Sequence, residues 1–299
     1  MSALVYTVRD DWVERTERLR QERRRTTGVI FLVAVLSIAG VGIVDRMGWP
    51  TVITSITAEA FSLCLYLAAA IWYGLRHRPR QARRWTFFAY VVGLGVMIGS
   101  DLLTKGGLQG ELLRSPRASS LRLLWGGIML LFWGIVAFAV KKKPEAMRRV
   151  GLDFRHWRAQ VPVGASVGLL IGSHLLAIIA LSGLDSLSWK PWPYFFWQTC
   201  YEVGPQSLSE ELFMRGVVFN ELYFSRGLGF WTAAFLTAGL EAATVLVKQN
   251  FSADPLIIVG AAFYSLTAAF TASALFRWSR SILPGYASNV VFGLMSVLR

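Results

Sequence analysis

Two adjacent carboxylates and an arginine lie inside a segment that is otherwise as apolar as a membrane span. They are Glu210, Glu211 and Arg215, within residues 207–221. An ionisable side chain at the centre of a bilayer costs about 2.5–3.5 kcal/mol on insertion scales, so it usually faces a bundle interior or a wet cavity. On a helix Glu211 and Arg215 share one face, while Glu210 is turned about 100° away. The spacing predicts a buried Glu211–Arg215 pair with Glu210 facing a cavity, although a purely structural clamp between helices explains the trio equally well.

The composition around this segment is that of a helical membrane protein. Of 299 residues, 54% are hydrophobic and only 16% are charged, and the mean hydropathy is +0.46. Nine apolar segments each approach the ~20 residues that a helix needs to cross a bilayer. They cover residues 27–44, 52–75, 85–103, 121–140, 160–182, 207–224, 228–247, 256–276 and 280–298. We therefore expect an all-α polytopic membrane protein with about nine transmembrane helices.

The net charge of +13 is concentrated in short loops beside the apolar segments. Basic residues are dense at 76–84, 141–158 and 277–280, whereas charge is nearly balanced at 45–50 and 104–120. This alternation is the positive-inside pattern, and it predicts a cytoplasmic N-terminus and an outer C-terminus. Membrane orientation thus accounts for the positive charge, and no nucleic-acid partner is expected. We expect the protein to be integral to the plasma or inner membrane, in contact with the lipid bilayer.

The pattern of charge and apolar segments divides the chain into three parts. These are a basic cytoplasmic leader at 1–26, a four-helix membrane region at 27–144 and a membrane core at 145–299. The leader is either an amphipathic helix on the membrane surface or a solvated segment. Within the core, Gly204 and Pro205 are expected to break the helix, with Ser207 or Ser209 capping the helix that carries the two glutamates.

The two carboxylates and the arginine form the motif E-E-x-x-x-R at residues 210–215, followed by Gly216. In this membrane setting the motif resembles that of the CAAX-protease and bacteriocin-processing (CPBP) intramembrane proteases, which include the type II CAAX prenyl endopeptidases. The resemblance covers about residues 145–299. It implies a CPBP-type helical bundle and an intramembrane metalloendopeptidase in which the first glutamate, two histidines and an asparagine surround a zinc-bound water.

The other two motifs of that family depart from the pattern in this chain. The motif F-x-x-x-H matches residues 235–239, where Gly239 replaces the histidine. The motif H-x-x-x-N matches residues 285–289, where Gly285 replaces the histidine and Asn289 is retained. A catalytic zinc typically takes three protein ligands plus water, so the remaining set is too small. His174 is the one histidine inside a predicted span, and it is more often a hydrogen-bond partner than a ligand there. Glu241 is two residues past Gly239, so it is expected to point away from the position of the missing imidazole.

We interpret the chain as a CPBP-type membrane protein with a degenerate metal site, which favours a pseudoprotease that binds rather than cuts. Its expected ligand is a hydrophobic peptide or a membrane-protein partner, and no cofactor is expected. By resemblance, the site is predicted to contain Glu210, Glu211, Arg215 and Asn289, with Phe235, Tyr286 and Ser288 contacting the substrate. The alternative is an active endopeptidase in which Glu210 is the base and His174 completes an atypical zinc site. A transporter is disfavoured because the chain shows no internal repeat.

Overall fold

The apolar segments fold as helices. The computed structural model describes residues 17, 20–40, 51–101, 116–182, 191–248 and 255–296, and within these ranges the chain is helical and contains no strand. The predicted all-α class is therefore confirmed for the described residues.

The N-terminal half contains six helices among the described residues. They are α1 (20–40), α2 (Thr51–Leu75), α3 (Pro79–Asp101), α4 (Pro116–Met129), α5 (Leu131–Lys142) and α6 (Pro144–Arg149). Helices α4 and α5 are separated by a turn at Leu130, and together they cover the fourth predicted segment. Helix α1 already includes residues 20–26, so the first helix begins inside the predicted leader. Residues 1–16, 18 and 19 of that leader lie outside the described residues, as do the predicted loop at 45–50 and residues 104–115 of the predicted loop at 104–120. The remainder of the second loop, residues 116–120, is helical and begins α4.

The C-terminal half is built around one long helix that runs from Trp192 to Ser225. It consists of α8 (Trp192–Tyr201), a π-helical segment (Glu202–Gln206), α9 (Ser207–Phe213) and a second π-helical segment (Met214–Ser225). Around it pack α10 (Phe230–Lys248), α11 (Pro255–Ser279) and α12 (Leu283–Ser296), and α7 (Trp157–Ser182) packs against α12 and α11. The long helix also packs against α2 and α4, so it joins the two halves of the bundle.

The predicted break at Gly204 and Pro205 is wrong, because the helix continues through both residues. A proline in a regular α-helix loses one hydrogen bond and its ring clashes with the preceding turn. The π-helical turn at this point carries one extra residue, which accommodates such a disruption without ending the helix. Gly204 serves packing instead, since a Cβ there would lie 2.6 Å from the Met129 carbonyl oxygen. Ser207 and Ser209 are consequently buried within the helix and are not N-caps.

Three helical stretches of the described chain are long and apolar enough to cross a membrane. They are Trp157–Ser182, Phe230–Val247 and Ile258–Ser279, and shorter apolar stretches occur at Ala60–Leu75 and Gly126–Phe138. Large apolar side chains on these helices are exposed, including Leu170 at 72% and Val259 at 65%. Exposure of this kind is what a surface in contact with lipid requires. These features indicate a membrane protein, whereas the full count of nine spans stays a prediction.

Helices α7 and α12 pack closely along a ridge of glycines on α7. Gly164, Gly168 and Gly172 are spaced four residues apart and are all buried. A Cβ at Gly168 would overlap the Ser288 carbonyl oxygen, and one at Gly172 would lie 2.6 Å from the Met295 sulfur. Small residues at this spacing let helix backbones approach in a bilayer. The ridge thereby fixes α12, which carries Asn289, against the bundle.

Gly168→Ala is expected to destabilise the protein, because a methyl group must displace the backbone of α12 rather than a flexible side chain. Overpacking of this kind typically costs about 1–3 kcal/mol. The measurement is thermal unfolding of detergent-purified protein. Gly239→Ala is the matched control, since Gly239 is also inside a helix but no atom lies within 4 Å of its Cβ position. Equal unfolding temperatures for the two variants would contradict the tight α7–α12 contact.

Candidate functional site

The predicted pair of Glu211 and Arg215 forms in the interior of the bundle. Glu211 lies on α9 and Arg215 on the π-helical segment that follows, and both side chains have 0% exposure. The Arg215 Nη1 atom is 3.2 Å from Glu211 Oε1. One turn of helix therefore brings the two charges together, as their four-residue spacing predicts.

Arg215 contacts two further helices, which makes it the centre of the polar cluster. Its Nη1 donates to Glu241 Oε2 on α10 at 2.5 Å, and its Nη2 donates to the Ala269 carbonyl oxygen on α11 at 3.0 Å. The planar guanidinium group presents several donors in a fixed fork, which suits it to bridge partners on different helices. We call Glu211, Arg215 and Glu241, together with the partly buried Asn289, the buried clamp.

Glu241 points away from Gly239, as predicted, but the expectation that position 239 faces the site is wrong, because Glu241 is the residue that faces it. Helix α10 turns the face carrying Thr237, Ala238 and Glu241 towards the bundle, and all three residues are buried. Gly239 lies on the opposite, exposed face of this helix, with no atom within 4 Å of its Cβ position. Residues two apart on a helix point in nearly opposite directions, so Glu241 faces inwards because Gly239 faces outwards. Both faces are largely apolar in sequence, which is why the sequence did not distinguish them.

Asn289 joins the clamp from α12, on the same helix face as Gly285. Its Nδ2 donates to Glu211 Oε1 at 2.6 Å. The other carboxylate oxygen, Oε2, is buried without a hydrogen-bond partner among the described residues, and it would lie 2.5 Å from a Cβ at position 285. The carboxylate of Glu211 therefore fills the space that a side chain at residue 285 would need. Glycine at this position admits the carboxylate.

Glu210 lies on a different face of the long helix and is only partly buried. It accepts a hydrogen bond from Gln206 Nε2 at 2.7 Å. About two turns earlier, Gln198 Nε2 donates to Glu202 Oε1 at 3.1 Å. The four residues recur every four positions and all are half-buried. We call them the polar ladder. The sequence signal was this regular spacing of amides and carboxylates in an apolar stretch, but only Glu210 was singled out from it.

The structure does not bring the three predicted substrate-contacting residues together. Phe235 is 62% exposed on the outer face of α10, so its side chain points away from the clamp. The Tyr286 hydroxyl donates to the Val203 carbonyl oxygen at 2.6 Å and accepts a hydrogen bond from Trp133 Nε1 at 3.1 Å. Ser288 is buried where α12 meets the glycine ridge of α7. Tyr286 and Ser288 therefore lie at helix contacts, and Phe235 lies on the outer surface.

His174 forms a hydrogen bond between helices rather than a contact with the clamp. Its Nδ1 lies 2.8 Å from the Tyr264 hydroxyl of α11, and the histidine side chain is exposed. Across the described ranges, no three His, Cys, Asp or Glu side chains are grouped closely enough to hold a metal ion. The residues at the motif positions do not fit zinc, because Gly239 faces outwards and the space at Gly285 is filled by Glu211.

No family model, curated protein or solved structure matches this chain. The resemblance to the CPBP proteases accordingly depends on the residues of the motifs alone.

Proposed function

We propose that this chain is an integral membrane protein with a CPBP-like core that binds a hydrophobic peptide segment and does not cleave it. The observation that carries the proposal is the division of the polar residues into the buried clamp and the half-buried polar ladder. The clamp connects α9, α10, α11 and α12 through ion pairs and hydrogen bonds in the interior, which leave Glu211 Oε2 and Arg215 Nε without a partner among the described residues. The ladder is the accessible part.

The clamp supports a structural rather than a catalytic role for the second glutamate of the motif. A general base must lie within hydrogen-bond reach of the proton that it removes. Glu211 is instead completely buried and contacts Arg215 and Asn289. The asparagine that the resemblance assigns to the reaction centre is thereby engaged in holding Glu211. These contacts favour a scaffold in which Arg215 holds two carboxylates, Glu211 and Glu241, inside the protein.

The ladder supports binding of a peptide backbone within the membrane. Peptide N–H and C=O groups need hydrogen-bond partners in the bilayer, where water is absent. These side chains already bond one another, and Gln206 Oε1 also accepts from the Tyr201 hydroxyl at 2.9 Å. A carboxylate can accept several hydrogen bonds and an amide can both donate and accept, so the ladder can add a peptide partner to the bonds that it forms within the protein. Such a row of groups can stabilise a hydrophobic peptide segment whose backbone is extended or only partly helical, because its N–H and C=O groups then lack partners within the peptide. The apolar helices around it would contact the side chains of the peptide.

Binding without cleavage can be measured with a fluorescent farnesylated CAAX-type peptide, which represents the substrate class that the resemblance implies. In nanodiscs, wild-type protein is expected to increase the anisotropy of the peptide while mass spectrometry finds it intact. Replacing Gln206 and Glu210 together by leucine should weaken binding about tenfold or more, since two hydrogen-bonding groups in an apolar setting are lost. Phe235→Ala is the control, because Phe235 lies on the outer surface.

Two results would contradict the proposal. Equal affinity of wild type and the Gln206/Glu210 variant would exclude the ladder as the binding surface. Cleavage of the peptide that is abolished by Glu210→Gln and by His174→Ala would establish the alternative, an active endopeptidase.

We further propose that the N-terminus is cytoplasmic and that the protein belongs to the plasma or inner membrane, on the basis of the basic loops. The test uses a protein in which Cys64 and Cys200 are changed to alanine and one new cysteine replaces Arg80, Lys142 or Arg277. Each new cysteine is expected to resist an impermeant thiol reagent added outside intact cells. A permeant reagent should label all three. Strong labelling from outside at any of these positions would contradict the orientation.

A further inference from the structure

A cleft of about 280 Å³ lies between the turn that joins α2 to α3 and the junction of α5 with α6. Its volume is close to the lower end of the range for small-molecule sites, roughly 300–1,000 Å³. The cleft is at the end of the bundle where the basic loops are found, remote in sequence from the motif residues. It plays no part in the clamp or the polar ladder.

The walls of the cleft are strongly basic. Its lining includes four permanent cations, which are Arg78, Lys142, Lys143 and Arg149. It also includes one histidine, His77, and a single carboxylate, Glu145. Within the described ranges, none of the four cations forms an ion pair with a carboxylate. Positive charge therefore exceeds negative charge around this concave space, since Glu145 is the single carboxylate among its described lining residues.

The behaviour of His77 is consistent with this concentration of charge. Partial burial lowers the pKa of His77, and the guanidinium groups of Arg76 and Arg149 lower it further, while Glu22 acts in the opposite direction. Repulsion by neighbouring cations disfavours the protonated imidazole. An anion in the cleft would reverse this effect and raise the pKa of His77.

We propose that this cleft binds a phosphate group, carried either by an anionic phospholipid headgroup or by a soluble phosphorylated molecule. Basic pockets between membrane helices on the cytoplasmic side suit phosphate headgroups. Arg78 and Arg149 can each present two parallel N–H donors to phosphate oxygens, and the lysines add point charges. Leu75 and Pro144 provide apolar walls beside the cations, as a lipid glycerol backbone would require.

The test uses full-length protein and two probes. One probe is phosphatidylglycerol in mixed micelles with phosphatidylcholine, and the other is glycerol phosphate added to micelles of phosphatidylcholine alone. The readout is the NMR titration of the His77 imidazole, whose pKa is expected to rise when a probe binds. Binding of phosphatidylglycerol alone identifies a lipid site, whereas binding of glycerol phosphate identifies a site for soluble phosphates.

Two variants that each lose three positive charges distinguish binding in the cleft from binding to general surface charge. Lys142→Gln, Lys143→Gln and Arg149→Gln together remove three cations from the cleft, and affinity should fall about a hundredfold. The control variant removes three exposed cations outside the cleft, at Arg80, Arg83 and Arg84, and should bind nearly as wild type does. Thermal unfolding without probe checks that both variants fold.

Equal loss of affinity in the two variants would overturn the proposal, because diffuse surface charge would then explain the binding. A wild-type protein that binds neither probe, with an unchanged His77 titration, would overturn it as well.

Discussion

Arg215→Ala is expected to lower the thermal stability of the detergent-purified protein more than any other single change in the clamp. The substitution leaves Glu211 and Glu241 buried without the guanidinium that contacts both of them. Breaking a buried pair from one side typically costs about 3–5 kcal/mol, because the remaining charge is stranded. Here two carboxylates are stranded at once.

The control is to remove the stranded charges in the same background. Arg215→Ala combined with Glu211→Gln and Glu241→Gln should recover much of the lost unfolding temperature, since neutral amides replace the unpaired carboxylates. Glu241→Gln alone should cost less than Arg215→Ala because the Glu211–Arg215 pair is retained. If the triple variant unfolds at the same temperature as Arg215→Ala, the three side chains are not electrostatically coupled.

The second large effect is expected at Gly285, where any side chain meets the carboxylate of Glu211. A methyl group at this position would lie 2.5 Å from Glu211 Oε2 and 3.3 Å from the Ala272 side chain. Glu211 cannot yield freely, because Arg215 and Asn289 hold its other oxygen. Gly285→Ala should therefore cost about 1–3 kcal/mol by overpacking. Gly285→His should cost more, since the imidazole is larger and displaces the carboxylate from its partners.

Gly239 offers the matched comparison, because it is the other position where the resemblance to the CPBP proteases implies a histidine. Its Cβ position is open on the outer face of α10, so Gly239→Ala and Gly239→His are both expected to leave the unfolding temperature nearly unchanged. Thermal unfolding of the four variants tests this contrast. Similar losses at both glycines would mean that the carboxylate of Glu211 does not occupy the space beside residue 285.

The sequence was sufficient to predict the helices and the Glu211–Arg215 pair, because both depend on local features. An apolar run of about 20 residues specifies a helix in a membrane, and a four-residue spacing brings two side chains onto one face. The course of the helix through Pro205 was not predictable, since a π-helical turn depends on how the neighbouring helices pack. Gly204 was interpreted as a helix breaker, whereas its lack of a side chain allows α4 to pack closely against the long helix.

The inward position of Glu241 escaped prediction for a related reason. The face of α10 that meets the bundle is decided by its neighbours, and the hydrophobic pattern of this helix does not distinguish one face from another. The ridge at Gly164, Gly168 and Gly172 was visible in the sequence as a repeated four-residue spacing of small residues. That signal could have identified the α7–α12 contact in advance.

We propose that the polar cluster around Glu211 is a structural clamp and not a metal centre. The most direct test is the zinc content of wild-type protein purified without chelators, determined by elemental mass spectrometry. We expect far less than one zinc per chain, unchanged in Glu210→Gln and in His174→Ala. One zinc per wild-type chain that is lost in either variant would contradict the claim.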